Sequence, residues 1–359
     1  MLEGSRPSLL FGPELARLAR LALDVTSTTA SREHQHILLT GFTGFIGRNL
    51  AQRLARDGFA VTAMIRPGSD PTKLKTLAER SPVSFFEGDL ADARSLESRL
   101  REHRWDAIFH IGAVRGGRKV SREEYYRVNV EASASIGRYA RETGTKLVFC
   151  SSVGVYGAIP QVLPATVASP FRDDNYYHST KIEAEQRLQE LVRSGLDCVI
   201  LRPTITYGTW DYGFPYTLVR LVDQGMFLLP TQPVTVHLAD VDLVCETFIA
   251  AARRRVVPGS VFNVADLEPV GLKALVDFIH LQLKGTTYPR WKRLPRVAFR
   301  VGERAAMLLR NDLWKARFEL ISRNWFYSVA TVKSELGVDQ SSTIPTFGKV
   351  ISWYRSLQG

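Results

Sequence analysis

Three glycines near the start of the chain constrain its fold more than any other feature. Gly41, Gly44 and Gly47 follow a short apolar run, His36 to Thr40, and precede a segment, Asn49 to Asp57, whose apolar residues recur at helical spacing. Glycines at such a junction let the backbone turn tightly, and they let a pyrophosphate approach the amides at the helix start. The pattern predicts a strand, a phosphate loop and a helix, and it favours a nucleotide site over an ordinary tight turn.

After this loop, strand-like apolar runs alternate with segments of helical periodicity. The expected strands are 36–40, 60–66, 83–88, 107–111, 146–151, 197–201 and 261–264, and the expected helices are 95–101, 123–142, 177–193 and 242–252. Such alternation implies right-handed crossovers between parallel strands. The expected fold class is therefore α/β, a Rossmann-type doubly wound parallel sheet with a smaller carboxyl-terminal substrate-binding lobe.

This alternation predicts three parts of the chain. Residues 1–35 precede the first strand and are expected to be an N-terminal extension with a short helix over 13–24. Residues 36–203 are expected to form the nucleotide-binding Rossmann domain. Residues 204–359 are expected to be mixed, returning to the sheet at about 236–265 and forming the substrate-binding lobe from about 204–235 and 266–330.

Composition narrows the class of protein. A chain of 359 residues with 45% hydrophobic and 23% charged residues is typical of a globular protein with a full core. Its three cysteines, at positions 150, 198 and 245, have no metal-ligand spacing, which favours reduced thiols in a cytoplasmic protein. No apolar run approaches the length of a membrane span, and arginines interrupt the apolar residues of the first segment, which disfavours a signal peptide.

The positive charge is concentrated in one late segment. The net charge is +11, and residues 284–317 contain ten Lys or Arg and two acidic residues, which gives 10 − 2 = +8. Because the excess is local, nucleic acid is not expected as a partner. The segment is also amphipathic, and the favoured interpretation is a solvated basic face that covers a core, with weak contact to a membrane surface or an acidic partner as the alternative.

Several positions after strand ends match a dinucleotide site. Arg66 stands at the end of the second strand, where a carboxylate usually binds the ribose of NAD, so an arginine there favours NADP(H), and Lys73 and Lys75 could add to the same positive field. Asp89 could accept from the adenine amino group beside Leu90, or it could cap the next helix. The expected cofactor contacts also include Gly41, Thr43, Gly44, Phe45, Ile46 and Gly47 in the loop, and Ile111, Gly112 and Ala113 after the fourth strand.

One helical segment carries acid–base chemistry. Tyr177 and Lys181 lie one turn apart on the same helix face, and a nearby cation can lower the pKa of a phenol towards neutrality. Ser152, at the end of the fifth strand, could donate a hydrogen bond to the oxygen that exchanges a proton with Tyr177. A Tyr-x-x-x-Lys match also arises by chance on a surface helix, so its weight depends on the neighbouring motifs.

Together these motifs resemble the extended short-chain dehydrogenase/reductase family over about residues 37–353. The resemblance rests on the glycine loop, Gly88-Asp89-Leu90, Ser-Ser-x-x-Val-Tyr-Gly at 151–157, Tyr177 with Lys181, Leu-Arg-Pro-Thr at 201–204 and His-Leu-Ala-Asp at 237–240. It implies that Tyr177 is the acid/base, that Lys181 binds the nicotinamide ribose, and that Ser152 polarises the reacting oxygen. It also implies a proton relay supported by Asn129, and a loop at Pro203 and Thr204 against the nicotinamide.

Departures from the family patterns reduce the number of activities that the chain is expected to have. Dehydratases carry an Asp-Glu pair where this chain has Val153 and Gly154, and many nucleotide-sugar epimerases carry an arginine at the position of Pro233. The segment 64–67 resembles dihydroflavonol reductase relatives, and the tail 325–337 is similar to 3β-hydroxysteroid dehydrogenase relatives.

These features favour an NADP(H)-dependent oxidoreductase that interconverts a ketone and a secondary alcohol on a rather apolar small molecule. One alternative is a nucleotide-sugar epimerase that retains its cofactor. Another is a non-catalytic NADP-binding sensor or scaffold, and the intact set of Ser152, Tyr177 and Lys181 argues against it. The helices that bear Asn129 and Tyr177 could pair in a homodimer, as in many relatives.

Overall fold

The structure is a computed structural model that describes residues 35–70, 74, 79, 83–116, 120–309 and 311–358. Most of the expected N-terminal extension, together with Lys73 and Lys75, lies outside the described residues.

Thirteen strands are described. They are β1 (His36–Thr40), β2 (Ala60–Ile65), β3 (Ser84–Glu87), β4 (Ala107–His110), β5 (Lys146–Cys150), β6 (Cys198–Pro203), β7 (Thr206–Tyr207), β8 (Leu229–Pro230), β9 (Thr235–Val236), β10 (Ala239–Asp240), β11 (Val261–Val264), β12 (Val270–Gly271) and β13 (Arg293–Leu294). Seven of these strands form one parallel sheet in the order β11-β6-β5-β4-β1-β2-β3. The doubly wound α/β fold expected from the sequence is thereby confirmed, with all seven expected strands in it.

Helices cover both faces of this sheet. They are α1 (Phe45–Arg56), α2 (Ala93–Leu100), α3 (Arg122–Tyr126), α4 (Ala132–Thr143), α5 (Tyr176–Arg193), α6 (Phe214–Asp223), α7 (Val241–Arg253), α8 (Leu272–Lys284), α9 (Arg296–Leu308), α10 (Asp312–Ser322), α11 (Ala330–Leu336) and α12 (Thr343–Ser356). Side chains of α1 and α7 pack on one face, and side chains of α2, α4 and α5 pack on the other. None of the helices in the described part of the chain combines the length and the apolar character needed to cross a bilayer.

The order of the strands fixes where a ligand can enter. The chain adds β2 and β3 on one side of β1 and then adds β4, β5 and β6 on the other side. Thr40 at the end of β1 is paired with His110 at the end of β4, so the carboxyl ends of these two strands border the point where the order reverses. In doubly wound sheets the crevice at this reversal is the usual binding site.

A π turn interrupts the helix that was expected to be continuous over 123–142. The turn spans Arg127–Glu131 and separates α3 from α4. Asn129 lies in this turn, and its side chain pairs with both backbone groups of Val114, accepting at 2.8 Å and donating at 3.0 Å. Helical periodicity cannot reveal this turn, because its partner lies in the loop after β4.

A second apolar cluster is built mainly from residues after β6, together with Val153, Val155, Tyr156 and Ala165 from before it. It contains side chains of α6, α8 and α12, together with Trp325 and Tyr327. Three short strand pairs, β7 with β10, β9 with β12 and β8 with β13, link its segments. The domain boundaries expected from the sequence, with a division at residue 203, stay a prediction.

A buried ion pair links α5 to β6 beneath the crevice. Glu185 accepts from the Arg202 guanidinium through both carboxylate oxygens, at 2.9 and 2.5 Å, and both side chains are almost fully buried. Arg202 also donates to the hydroxyl of Tyr156 at 2.5 Å. The Tyr156 hydroxyl in turn donates to Asn263 on β11 at 2.7 Å, so three neighbouring elements are held together.

We expect Glu185→Ala to lower the free energy of unfolding by about 3–5 kcal/mol, because it leaves a buried guanidinium without its counter-ion. Urea unfolding followed by circular dichroism measures this loss. The control is Lys273→Ala, which breaks an exposed pair with Asp277 and should cost less than about 1 kcal/mol. Equal losses in the two variants would contradict the role given to the Glu185–Arg202 pair.

Candidate active site

The loop after β1 forms a cradle that side chains would fill. Gly41 has φ +76°, and a Cβ there would lie 2.7 Å from the backbone nitrogen of Gly112. A Cβ on Gly47 would lie 2.1 Å from the carbonyl oxygen of Gly41. Gly44 is the N-cap of α1 and contributes no capping side chain, so the amides of the first helical turn face the loop. This geometry fits a pyrophosphate group, as the sequence predicts.

A buried hydroxyl joins the ends of the two central strands. Thr40 Oγ1 accepts from the backbone amides of Ile111 at 3.0 Å and Gly112 at 2.9 Å, and it lies 2.8 Å from Nδ1 of His110. Since both acceptor sites are taken, the Thr40 hydroxyl donates to His110 Nδ1. Burial lowers the pKa of His110 to about 3, so the ring is neutral and carries its proton on Nε2.

The same chain of hydrogen bonds reaches the π turn. His110 Nε2 lies 3.0 Å from Ser133 Oγ, and that hydroxyl donates to the carbonyl oxygen of Asn129 at 2.7 Å. The Asn129 amide also donates to Thr180 Oγ1 at 3.0 Å, next to Lys181 on α5. Asn129 is therefore a positioning residue that ties the loop after β4 to α5. Its part in a proton relay stays a prediction.

The two serines after β5 have different environments. Ser151 is buried and donates to Glu185 of the buried ion pair. Ser152 is partly exposed, its hydroxyl oxygen accepts from the Gly154 amide at 3.0 Å, and its hydroxyl also makes a hydrogen bond with Tyr177. The assignment of Ser152 rather than Ser151 to the reacting oxygen stays a prediction.

Tyr177 stands at the start of α5, beside Ser152. Burial raises the pKa of Tyr177 and the nearby Cys150 adds to this, while Arg115 and a hydrogen bond with Ser152 act to lower it. A Cβ on Gly116 would lie only 3.7 Å from the Tyr177 side chain, so the loop after β4 closes over the ring. The phenol therefore keeps its proton at neutral pH.

Lys181 lies one helical turn from Tyr177, yet the pKa of Tyr177 is raised in this structure and not lowered as that spacing predicted. Its Nζ donates to the carbonyl oxygen of Cys150 at 2.8 Å and lies 4.7 Å from the centre of the Phe149 ring. Burial lowers the pKa of Lys181 itself. Arg115, which the sequence did not indicate, is a cation that acts to lower the pKa of the Tyr177 phenol.

The other expected cofactor contacts line the same edge of the sheet. Arg66 is exposed directly after β2, and its carbonyl accepts from Ser69 in a turn through Pro67 and Gly68. Asp89 follows β3, and one carboxylate oxygen accepts from the Ala91 amide at 2.9 Å. The N-cap of α2 is Asp92, so the alternative that Asp89 caps this helix is wrong.

Two further contacts complete this edge. Leu90 packs on Gly112, where a Cβ would come within 2.7 Å of its side chain. Pro203 ends β6, and the Thr204 hydroxyl donates to the carbonyl of His237 at 2.7 Å, which anchors the loop expected against the nicotinamide.

His178 fills the space beside Gly154. A Cβ on Gly154 would lie 2.6 Å from the imidazole, and the Nδ1 of His178 lies 2.6 Å from a carboxylate oxygen of Asp174. The small residue that distinguishes this chain from dehydratases therefore makes room for an imidazole next to Tyr177. Sequence reasoning missed His178, although it stands between Tyr177 and Lys181 in the motif.

Asp211 is a second residue that sequence reasoning missed. Its side chain is 4% exposed, and among the described residues its Oδ2 has no hydrogen-bond partner. Burial raises the pKa of Asp211 to about 6, and Arg115, which also acts on Tyr177, opposes the shift. The only signal in the sequence is a lone acidic residue between Trp210 and Tyr212.

The segment that carries Asp211 crosses the start of α1. Asn49 donates to the carbonyl of Thr209 at 3.3 Å, and the Arg48 guanidinium lies 5.2 Å from the centre of the Trp210 ring. Trp210 has φ +70°, a left-handed conformation that costs free energy for a residue with a side chain. The segment is thus held next to the phosphate loop.

Comparison with known proteins finds a protein family and solved structures that the chain resembles. A model of the "NAD dependent epimerase/dehydratase family" matches residues 37–265. The UDP-glucose 4-epimerase of Thermotoga maritima, solved with UDP-glucose, superposes with a TM-score of 0.70 at 18% identity, and covers 90% of this chain and 100% of that one. This likeness confirms the Rossmann-type fold.

Curated relatives include both reductases and epimerases. "Sterol demethylase protein B" of Methylococcus capsulatus is 35% identical over 179 residues, which is 49% of this chain and 52% of that protein. The 4-hydroxy-2-methyl-3-oxo-4-farnesyl-3,4-dihydroquinoline-1-oxide ketoreductase of Stigmatella aurantiaca is 27% identical over 77% of this chain and 80% of that protein. A UDP-glucose 4-epimerase of Azospirillum brasilense is 28% identical over 68% and 64%. The chain spans about half the length of the first curated relatives it matches.

We expect Asp211→Asn to raise stability at alkaline pH. The pKa of Asp211 is about 6 in the folded state and near 4 in the unfolded state. The ionised carboxyl therefore lowers the free energy of unfolding by roughly 2–3 kcal/mol above pH 6, and this loss disappears as the pH falls below 4. The variant should therefore exceed the wild type in urea unfolding near pH 8, and the difference should shrink near pH 4.5. Asp173→Asn, at an exposed carboxylate, is the control and should change little at either pH. A pH-independent difference for Asp211→Asn would refute the assignment.

Proposed function

The chain belongs to the NAD-dependent epimerase/dehydratase family, as its resemblance to extended short-chain dehydrogenases predicts, and we propose that it is an NADP(H)-dependent oxidoreductase. It interconverts a ketone and a secondary alcohol on an apolar small molecule. The observation that carries this proposal is the pairing of a protonated Tyr177 phenol with the Ser152 hydroxyl, at the carboxyl edge of β5.

The roles of the side chains follow from their proton states. The bound nicotinamide supplies or accepts the hydride at the substrate carbon. During reduction Tyr177 gives its proton to the carbonyl oxygen, and Ser152 donates a hydrogen bond to the same oxygen. During oxidation the proton moves back, so the phenolate form of Tyr177 is required. In this proposal Lys181 would hold the nicotinamide ribose, and the glycine loop would hold the pyrophosphate.

Elimination chemistry is disfavoured at this site. A dehydratase needs an acidic side chain close to the catalytic tyrosine, whereas here the neighbouring position is Gly154, whose space is occupied by His178. The remaining polar groups suit reversible proton transfer to one oxygen.

Aromatic side chains support an apolar substrate. Tyr212 is 66% exposed, and its ring centre lies 5.0 Å from that of Trp353 and 5.4 Å from that of Tyr216. The residue at the position of the diphosphate-binding arginine of many epimerases is the exposed Pro233. The names of two relatives, which mention a sterol and a farnesylated quinoline, point to the same substrate class.

The first test concerns Tyr177. Tyr177→Phe should lower kcat for ketone reduction by roughly 10²–10⁴-fold, because it removes the proton donor and keeps the ring. Tyr176→Phe, at the preceding aromatic residue that packs on Tyr125, is the matched control and should stay near wild type. NADPH oxidation followed by absorbance against a panel of apolar ketones measures both. Wild-type turnover in Tyr177→Phe would contradict the mechanism.

The raised pKa of Tyr177 also predicts the pH dependence. Since the protonated phenol is the donor, kcat for reduction should show no loss from Tyr177 ionisation between about pH 6 and 9, whereas oxidation of the alcohol should accelerate as the pH rises. Parallel pH profiles in the two directions measure this. A reduction rate that falls with an apparent pKa near 7 would contradict it.

Cofactor preference is tested at Arg66, whose exposed position after β2 supports a ribose 2′-phosphate contact. Arg66→Asp should raise KM for NADPH by roughly 10- to 100-fold, since a charge-assisted hydrogen bond contributes about 1.5–3 kcal/mol. It should also lower KM for NADH. Arg104→Asp, an exposed arginine before β4, is the charge-matched control. An unchanged NADPH to NADH ratio in Arg66→Asp would favour NAD(H).

An epimerase is the second candidate, because UDP-glucose 4-epimerases occur among the curated relatives. This activity keeps its cofactor bound and shows no net oxidation or reduction. Interconversion of UDP-glucose and UDP-galactose by the purified protein, with no consumption of added NADPH, would favour the epimerase. Absence of turnover on both panels, with retained nucleotide binding, would favour the sensor or scaffold.

Two further predictions concern the cellular location and the oligomeric state of the protein. A cytoplasmic location is supported by the three cysteines, which are buried free thiols. A homodimer through the helices that bear Asn129 and Tyr177 stays a prediction.

A further inference from the structure

Helix α9 has two opposite faces that both carry apolar side chains. Its inner face packs on α10: Phe299 is 3% exposed, and a Cβ on Gly302 would lie 2.8 Å from the Phe318 ring. Its outer face carries Val297 and Val301, each 61% exposed, and Leu308, 82% exposed. These three residues are spaced at i, i+4 and i+11, so they form one row along the helix. The packing of α9 on α10 does not explain why these three apolar side chains are exposed.

Arginines run beside this apolar row. Arg296, Arg300 and Arg304 are exposed and recur every four residues; the first two come one position before Val297 and Val301, and the third lies between Val301 and Leu308. The one acidic residue of α9, Glu303, accepts from Arg323 at 2.5 Å, so its charge is balanced within the protein. The outer face of α9, called here the α9 ridge, is therefore apolar along one side and positive along the other.

Two tryptophans flank the ridge in sequence. Trp291 is 79% exposed, with the Lys292 ammonium 4.9 Å from its ring centre. Trp314 is 50% exposed, with the Arg317 guanidinium 5.1 Å from its ring centre. Amphipathic indole rings beside cations are typical of side chains that settle at the boundary between lipid headgroups and acyl chains.

The charges on the α9 ridge favour one kind of binding partner over another. A second copy of the chain would bring two arginine rows together, and like charges across an interface repel. An anionic lipid surface instead attracts the arginines, while the protruding valines and leucine enter the acyl boundary and the long arginine stems reach back to the phosphates. A 13-residue helix is about 20 Å long, which is enough to lie in the plane of a bilayer surface.

We propose that the α9 ridge, with Trp291 and Trp314, docks the protein onto membranes that contain anionic phospholipids. The protein lies on the membrane and does not span it. This inference does not depend on the proposed redox activity, because the ridge shares no residue with the cofactor or catalytic site.

The test is flotation of the full-length protein with vesicles of phosphatidylcholine alone or mixed with phosphatidylglycerol. The protein should float only with the anionic vesicles, and less of it should float as the salt concentration rises. The double variant Arg300→Gln, Arg304→Gln should bind at least about tenfold more weakly, since each arginine near the surface contributes substantially to binding. The double variant Val301→Asp, Leu308→Asp should lose binding even at low salt.

Matched controls separate the ridge from general effects. The double variant Arg104→Gln, Arg255→Gln removes the same charge from exposed sites before β4 and after α7, and Val257→Asp alters a residue that is 75% exposed before β11. Both controls should float like the wild type, and thermal unfolding should show that every variant is folded. Equal loss in the arginine controls, or binding to heparin but not to anionic vesicles, would overturn the proposal in favour of a general polyanion surface.

Discussion

The close approach of backbone at the ends of β1 and β4 is the constraint on which the rest of the site depends. Gly41 and Gly47 lie so near to other backbone atoms, and Gly112 so near to the Leu90 side chain, that a methyl group at any of them would collide. The Thr40 hydroxyl secures this approach by accepting from two amides of the opposite loop. Because the strand order reverses at this point, the same contact also sets the floor of the crevice, towards which Asn129 positions α5.

The sequence was sufficient for the sheet and for part of the site. Central strands of a parallel sheet are buried on both faces, so they appear as continuous apolar runs, and Ile37, Leu38 and Leu39 are completely buried. Helical spacing correctly put Tyr177 and Lys181 on one helix. It could not predict what each side chain meets, because Lys181 bonds to a carbonyl of β5, and Arg115 comes from the loop after β4.

Neither the π turn nor the buried Asp211 carboxylate could be predicted from the sequence, and the reason is the same. The partners of Asn129 lie 15 and 51 residues away, and no local pattern encodes such distances. Asp211 is unusual because it is enclosed by a segment anchored to α1 through Asn49. The buried Asp211 carboxylate lowers the stability of the fold, and functional sites often retain such unfavourable residues. Helix and strand propensity and hydrophobic periodicity give no signal for a residue of this kind.

The packing of His178 against Gly154 limits which side chains position 154 can accept. A larger residue at 154 meets the imidazole, and the imidazole is held by Asp174. A side chain at 154 therefore displaces the imidazole from this position and breaks its contact with Asp174. The two positions are coupled sterically, so the effect of a substitution at 154 depends on the residue at 178.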